Sequence, residues 1–176
     1  MTTPAVHRPM TRGFTLIEVL IAMLVTAVGL LGLAKMQALA ISGTQNSGSR
    51  SLMALQVGSL VSAMHANQTY WGSAPPTSFS ATGTTVTDAS SVLNATVTSC
   101  TTKCTPAAMA ASDFQAWAAS MNGQFPTYNA KINCTAVQPV SCEIYVSWTE
   151  KKVAMSTTTA AGTASQTQSF SVFVEP

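Results

Sequence analysis

The longest apolar segment of the chain lies near its N-terminus and contains a single charge. From Phe14 to Ala34 the only formally charged side chain is that of Glu18. At roughly 1.5 Å of rise per residue, these roughly 21 residues form a helix of about 31 Å, which is long enough to cross a bilayer. The pattern therefore predicts one transmembrane helix over residues 14–34.

A second apolar pattern, at helical spacing, follows the first. Its members recur at positions i, i+4, i+7 and i+11 and are Met53, Val57, Leu60 and Met64. One apolar stripe of this kind predicts a helix that packs against a sheet, and Gly72 predicts that the helix ends near Asn67. Gly43 and Gly48 each cost a helix about 1 kcal/mol relative to alanine, so we expect the helix to bend or melt within residues 42–49.

The next segment, residues 72–99, is rich in serine, threonine, alanine and glycine and shows little periodicity. This composition predicts a long surface connection, with a short strand around residues 92–97. Thr105 and Pro106 then fit the N-cap and the first position of a second helix, and Gly123 predicts the end of that helix. Its apolar stripe consists of Ala110, Phe114, Trp117 and Met121.

A hairpin is predicted in the C-terminal part of the chain. Residues 142–148 alternate strictly between apolar and polar side chains, and a preceding strand is expected at about residues 131–137. A hairpin symmetric about Gln138 places Cys134 opposite Cys142. Directly opposed Cα atoms lie roughly 4.5 to 5.5 Å apart, which is within reach of a disulfide.

The last strand is predicted at residues 170–174, after a polar loop at about 156–168. Together the patterns predict an α+β fold. A long N-terminal helix, with its apolar half in the membrane, packs on a small antiparallel sheet of three or four strands, and the head carries an extra short helix. The expected divisions are residues 1–13, a helix at 14–67 and a head at 68–176.

Glu18 lies four residues inside the apolar span. An ionised carboxylate costs several kcal/mol there unless a cation neutralises it. A cut after Gly13 would give Phe14 a new α-amino group, and the Phe14 amine of a neighbouring copy could meet Glu18 in a dry helix bundle. A secretory signal peptide does not fit, because such a peptide is apolar before its cut. The alternative is a simple membrane anchor with an incidental glutamate.

The distribution of charge indicates where the head lies. Arg8 and Arg12 precede the apolar span with no acidic residue before Glu18, so the positive-inside rule places the N-terminus in the cytoplasm and the head outside. Without these two arginines, Lys plus Arg falls from 8 to 6 against 6 Asp plus Glu, so the formal charge of the remainder is zero. A neutral head argues against direct binding of nucleic acid.

The predicted head holds all four cysteines of the chain, Cys100, Cys104, Cys134 and Cys142. An even number of cysteines in an extracytoplasmic domain predicts disulfides. No metal is expected, because neither the three-residue gap nor the seven-residue gap matches the usual close pairs of zinc ligands. Four cysteines allow three connectivities, and we favour Cys100 with Cys104 and Cys134 with Cys142. No catalytic set or cofactor site emerges, so we expect a structural role and not an enzyme.

The segment Gly13-Phe14-Thr15-Leu16-Ile17-Glu18, followed by an apolar helix, resembles the class III signal of type IV prepilins and pseudopilins. In that family a prepilin peptidase cuts after the glycine and N-methylates the next residue. The resemblance implies a mature chain that begins at N-methylated Phe14, and it places Glu18 on the assembly glutamate of the family. Met1 and Met10 both fit as the start of the leader.

Further stretches resemble one branch of the family, the PilV minor pilins, also called type IV pilus modification proteins. His65 and Phe125 depart from the pattern, which more often has arginine and leucine there, so a role for that arginine does not carry over. The resemblance runs from residue 13 to about 149 and is weakest in residues 68–99. It rests on Gly29-Leu30-Leu31-Gly32-Leu33-Ala34, Met36-Gln37, Ser49-Arg50-Ser51, Met64-His65-Ala66-Asn67, Cys104-Thr105-Pro106, Asp113, Trp117, Phe125-Pro126 and Val146-Ser147-Trp148-Thr149.

The resemblance implies a minor pilin that joins other minor pilins at an assembly platform in the inner membrane. There it primes polymerisation of the major pilin, and at the pilus tip it supports an adhesin. Such pili serve adhesion, twitching motility and DNA uptake. The implied location is the inner membrane, with one pass and a periplasmic head, and later the extracellular pilus. Two alternatives stay open: a minor pseudopilin of type II secretion, and a membrane-tethered binding module that does not polymerise.

Overall fold

The structure, a computed structural model, describes residues 13–73, 75–97, 104–152 and 164–176. The chain divides into two compact units. The N-terminal unit ends at Ile41 and the C-terminal unit begins at Ser42. In the N-terminal unit, every described side chain from Phe14 to Ile41 is exposed. A core forms only in the C-terminal unit.

The long helix α1 spans Leu16–Ala66 and so passes from one unit into the other. Its end lies one residue before the predicted end. The prediction that the helix melts within residues 42–49 is wrong, because these residues are helical. The two glycines cost the helix only about 1 kcal/mol each, and the packed stripe that follows them outweighs this cost.

Two further helices and five strands complete the described part of the chain. The helices are α2, Gln68–Trp71, and α3, Pro106–Gln124. The strands are β1, Ser78–Thr82; β2, Thr85–Asp88; β3, Asn129–Cys134; β4, Cys142–Lys152; and β5, Ala164–Val174. They form one sheet in the order β2-β1-β3-β4-β5, with every neighbouring pair antiparallel. The predicted fold class, α+β with a long apolar N-terminal helix and a small antiparallel sheet, is confirmed.

The hairpin of β1 and β2 was not predicted. It lies inside the segment that was interpreted as a surface connection, and a two-residue turn joins Thr82 to Thr85. Gly83 adopts a φ of +60° in this turn, a conformation that glycine adopts without the strain a Cβ would cause. The strands escaped notice because their inward positions are marked only by Phe79 and Ala81 among small polar residues.

Two other predictions of strands need correction. Residues 92–97 form turns and irregular backbone, not a strand. In addition, β5 begins at Ala164 and not at Phe170, so residues 164–168 of the predicted polar loop belong to a strand. Their polar side chains hid this strand, which pairs with the equally polar end of β4. The remainder of the loop, up to residue 163, lies outside the described residues.

Both predicted helical stripes are buried in the core, as expected. The α1 stripe and the α3 stripe are buried against the inner face of the sheet, and Trp117 is 6% exposed. The Nε1–H group of Trp117 donates to the Gln56 carbonyl oxygen at 2.8 Å, which ties α3 to α1. Aromatic rings continue the contact, with centroids 5.0 to 6.1 Å apart. This series consists of Tyr70, Trp71, Phe79, Phe114, Trp117 and Tyr128.

The hairpin of β3 and β4 has the predicted register. Cys134 lies opposite Cys142, and a disulfide joins the two. Cys104 is also disulfide-bonded. Its predicted partner, Cys100, lies outside the described residues, so that pairing stays a prediction.

The start of α3 is also as predicted. The Thr105 hydroxyl accepts the Ala108 amide at 3.2 Å, and Pro106 is the first helical residue. The helix ends at Gln124, one residue past the glycine expected to stop it.

Asp88, at the end of β2, organises the loop that follows. Its carboxylate accepts hydrogen bonds from the amides of Ser90, Val92 and Leu93 at 3.0 Å each, and from the Ser90 hydroxyl at 2.6 Å. Burial alone would raise the pKa of Asp88, but these hydrogen bonds outweigh it and hold the pKa below its usual value. Burial, with the nearby charge of Asp88, also raises the pKa of Tyr70 to about 12.

The lowered pKa of Asp88 predicts a pH-dependent contribution to stability. A carboxyl group with a depressed folded-state pKa stabilises the protein above its unfolded-state pKa of about 3.9, and this contribution is lost as pH falls through the folded-state value. We expect Asp88→Asn to lower the free energy of unfolding by about 1 to 3 kcal/mol at pH 7, and by less as the pH falls below about 4. Urea unfolding of the protein in detergent, followed by tryptophan fluorescence from pH 7 to pH 3, measures this.

Asp113 provides the matched control, because burial raises the pKa of this carboxyl group. Its contribution to stability therefore has the opposite sign: it grows as pH falls through the raised value. Asp113→Asn should not destabilise the protein at pH 7. A loss of stability in Asp88→Asn that is the same at every pH would contradict the role given to the Asp88 charge.

Candidate functional site

The predicted cut site lies at the exposed start of α1. Gly13 and Phe14 precede the helix, and Phe14 is 83% exposed. A Cβ built on Gly13 meets no atom within 4 Å, so nothing in the described chain requires a glycine there. The absence of a side chain at this position therefore matters to whatever binds the segment, such as a peptidase, and not to the fold.

Thr15 fixes where the helix starts. The Glu18 amide donates to the Thr15 carbonyl oxygen at 3.1 Å and lies 3.4 Å from the Thr15 hydroxyl, and the Val19 amide donates to the same carbonyl at 3.3 Å. Thr15-x-x-Glu18 has the spacing of a capping box, in which a threonine at the N-cap is followed three residues later by a glutamate. This signal is present in the sequence but was not among the predictions. The cap fixes the position of Glu18 in the first turn.

Phe14 and Glu18 lie on the same side of the helix start. Both line one shallow apolar groove together with Val19, Ala22, Met23 and Thr26. The side chain of Glu18 is exposed, and within residues 13–73 its carboxylate accepts no hydrogen bond. A cation that neutralises Glu18 in an apolar environment must therefore come from outside the described chain or from the α-amino group that a cut would create at Phe14.

The helix around this pair is apolar on all sides. Its most apolar window of 18 residues has a mean hydropathy of 2.5, and none of that window is buried. Exposed apolar surface of this extent needs a membrane or a bundle of other helices to cover it. The environment of Glu18 is therefore one in which an unpaired charge is costly.

The described part of the C-terminal unit offers no reaction chemistry. No group of three or more histidine, cysteine, aspartate or glutamate residues that could hold a metal occurs in it. A groove of about 260 Å³ between α1 and α3 is lined by Gln56, Ser59, Asp113, Ser120 and neighbouring small residues. Trp117 also borders it, but its N–H group already donates to Gln56. Of the predicted site residues, the structure thus brings together Phe14 with Glu18 and Cys134 with Cys142.

Comparison with known proteins agrees with the N-terminal site. A family model for the prokaryotic N-terminal methylation motif matches residues 8–34, which include the predicted cut site and Glu18. The chain matches none of the curated proteins and none of the solved structures. The match identifies a class III prepilin signal, and with the apolar helix it indicates that a single N-terminal helix anchors the protein in a membrane. These findings support a protein of the type IV pilin or pseudopilin type.

Proposed function

We propose that this protein is a minor pilin of the PilV kind, which primes type IV pilus assembly and stands at the pilus tip. The observation that carries the proposal is the placement of Phe14 and Glu18 one turn apart on one side of an apolar helix. A free amine at Phe14 and a carboxylate at Glu18 give each copy one cation and one anion in the same apolar region. Each copy can therefore neutralise a neighbour.

The mechanism begins in the inner membrane, where the apolar part of α1 stores the subunit with its head in the periplasm. During assembly the same apolar surface is transferred from lipid into a bundle of helices, so little of it is exposed to water at any stage. Glu18 then pairs with the Phe14 amine of the adjacent subunit. Because both charges are desolvated, only one axial register satisfies them, and the pair fixes the step between subunits.

The partners follow from this mechanism. Prepilin peptidase acts on Gly13 and Phe14, and the inner-membrane assembly platform receives the mature subunit. Other minor pilins and the major pilin contact the helix and the head, and a tip adhesin is supported by the complex. The pili that result serve adhesion, twitching motility and DNA uptake.

The PilV assignment is supported by the stretches that resemble that branch, several of which have structural roles. Trp117 ties α3 to α1, Thr105 caps α3, and Arg50 donates to Gln168 on β5. A pseudopilin would share the methylation motif and Glu18, so these residues of the head, and not the motif, distinguish the two. The head contributes a surface and no catalysis in this proposal.

Maturation of the N-terminus is the first expected outcome. Mass spectrometry of the protein from native membranes should find a chain that begins at Phe14 with one added methyl group. Gly13→Leu should leave the chain uncut, although the structure has space for the larger side chain. Gly43→Ala, at another glycine without close neighbours, should be processed normally. An uncut chain in the native host would contradict the proposal and favour the tethered binding module.

The charge pair predicts a loss of assembly without a loss of anchoring. Glu18→Ala and the isosteric Glu18→Gln should be cut and membrane-bound but should leave a deletion strain as sparsely piliated as it was, because the neighbouring amine has no anion. Glu18→Asp keeps the charge and should restore part of the piliation. Pilus counts by electron microscopy measure this, and normal pili in Glu18→Gln would exclude the pairing.

A clean deletion in the native host separates the proposal from its nearest alternative. We expect few or no pili in a retraction-deficient background, with normal activity of secreted enzymes in the medium. Normal pili with lost secretion would instead indicate a pseudopilin of type II secretion. An unchanged strain would favour the tethered binding module.

A further inference from the structure

The two edges of the sheet are unlike. At one edge β2 is four residues long and ends in the hydrogen-bonded Asp88. At the other edge β5 is eleven residues long, and no described strand pairs with its outer side. Natural proteins block exposed edge strands with lysine, proline, bulges or short length. Residues 164–174 contain no charged residue, no proline and no glycine.

Apolar surface continues to the open edge. Phe170 and Val172 on the inner face are only partly buried, whereas the residues opposite them on β4, Val146 and Ile144, are 0% exposed. On the outer face Phe173 is 71% exposed. The core is therefore less completely covered at β5 than one strand further in.

Arg50 limits the open stretch at one end. Its guanidinium donates to the Gln168 side chain, which is 5% exposed. The partly exposed apolar residues all lie beyond this contact, between Ser169 and Val174. We call residues 169–174 the β5 docking edge.

We propose that the β5 docking edge receives an extended, uncharged strand from a different protein, which adds a sixth strand to the described sheet. Alternate residues of an edge strand direct their N–H and C=O groups away from the sheet, and only another extended backbone can pair with such a series of groups. Apolar side chains on one face of the added strand would cover Phe170 and Val172. An acidic or basic strand would bury unpaired charge beside an uncharged edge.

A second copy of this chain does not fit the edge. Antiparallel pairing of β5 with β5 requires a two-fold axis normal to the sheet, which reverses the direction of the α1 segment that packs on the inner face. Two chains anchored in one membrane through the N-terminal end of that helix cannot run in opposite directions. Parallel pairing requires an axis along the strand, which places the inner face of one copy beside the outer face of the other and leaves Phe170 uncovered.

This inference goes beyond the proposed function, because it concerns the sheet and not the N-terminal helix. The two can therefore fail separately. A Glu18→Gln protein that does not restore pili should still bind an added strand, and a protein that assembles normally need not.

The first test uses the full-length protein in detergent and a synthetic peptide with the sequence of residues 165–174, carrying two terminal lysines for solubility. Amide hydrogen exchange, followed by NMR, should slow about tenfold or more at alternate residues of the β5 docking edge. The amides of β2 should not change. A peptide of the same composition with prolines at alternate positions is the control and should have no effect.

Charged substitutions then test the position. Ser169→Lys with Ser171→Lys changes two exposed outer-face residues and should abolish the protection at β5 while the protein unfolds at the same urea concentration. Thr85→Lys with Thr87→Lys on β2 is the matched control and should keep the protection. No slowing at β5, or equal slowing at β2, would overturn the proposal.

A photo-crosslinking residue at Phe173 tests the occupant in the native host. We expect a crosslink to one other protein that disappears in the Ser169→Lys, Ser171→Lys variant and persists in the β2 control. A crosslink only to a second copy of this chain, or none, would overturn the proposal.

Discussion

One continuous helix must satisfy two different environments, and the rest of the structure depends on that constraint. Every described side chain of α1 up to Ile41 is exposed, and these side chains are apolar on all sides of the helix. From Met53 to Met64 only one stripe is buried. The first part therefore needs lipid or other helices around it, whereas the second part needs a sheet and α3 on one side. Glu18 is costly only because it lies in the first environment.

Features with strong local signals were predictable from the sequence. The apolar span, the two helical stripes and the Thr105 cap each repeat or end at spacings that only a helix explains, and all are found in the structure. The register of Cys134 with Cys142 followed from the symmetry of one hairpin. Phe14 and Glu18 share one side of the helix because residues four apart always do. The capping box at Thr15 was also readable but was missed.

Features that depend on distant partners were not predictable. The strands β1 and β2 contain few apolar residues, and their sequence alone is equally compatible with a loop. They are strands because β1 pairs with β3 along five residues, and β3 lies more than forty residues away in sequence. In the same way, the polar start of β5 is ordered by its pairing with β4. Gly43 and Gly48 remain helical because the packed stripe that follows them determines the local conformation.

The N-terminal charge pair and the β5 docking edge have different capacities to select a partner. A charge pair between Glu18 and an N-terminal amine fixes an axial step, but it cannot distinguish one chain with the methylation motif from another, because each presents the same two groups. Selection must therefore come from residues outside 8–34. The β5 docking edge is suited to this task, because backbone pairing supplies affinity while Phe170, Val172 and Phe173 test the side chains of the incoming strand. A subunit with both surfaces can join a common helical array and still recognise a specific neighbour.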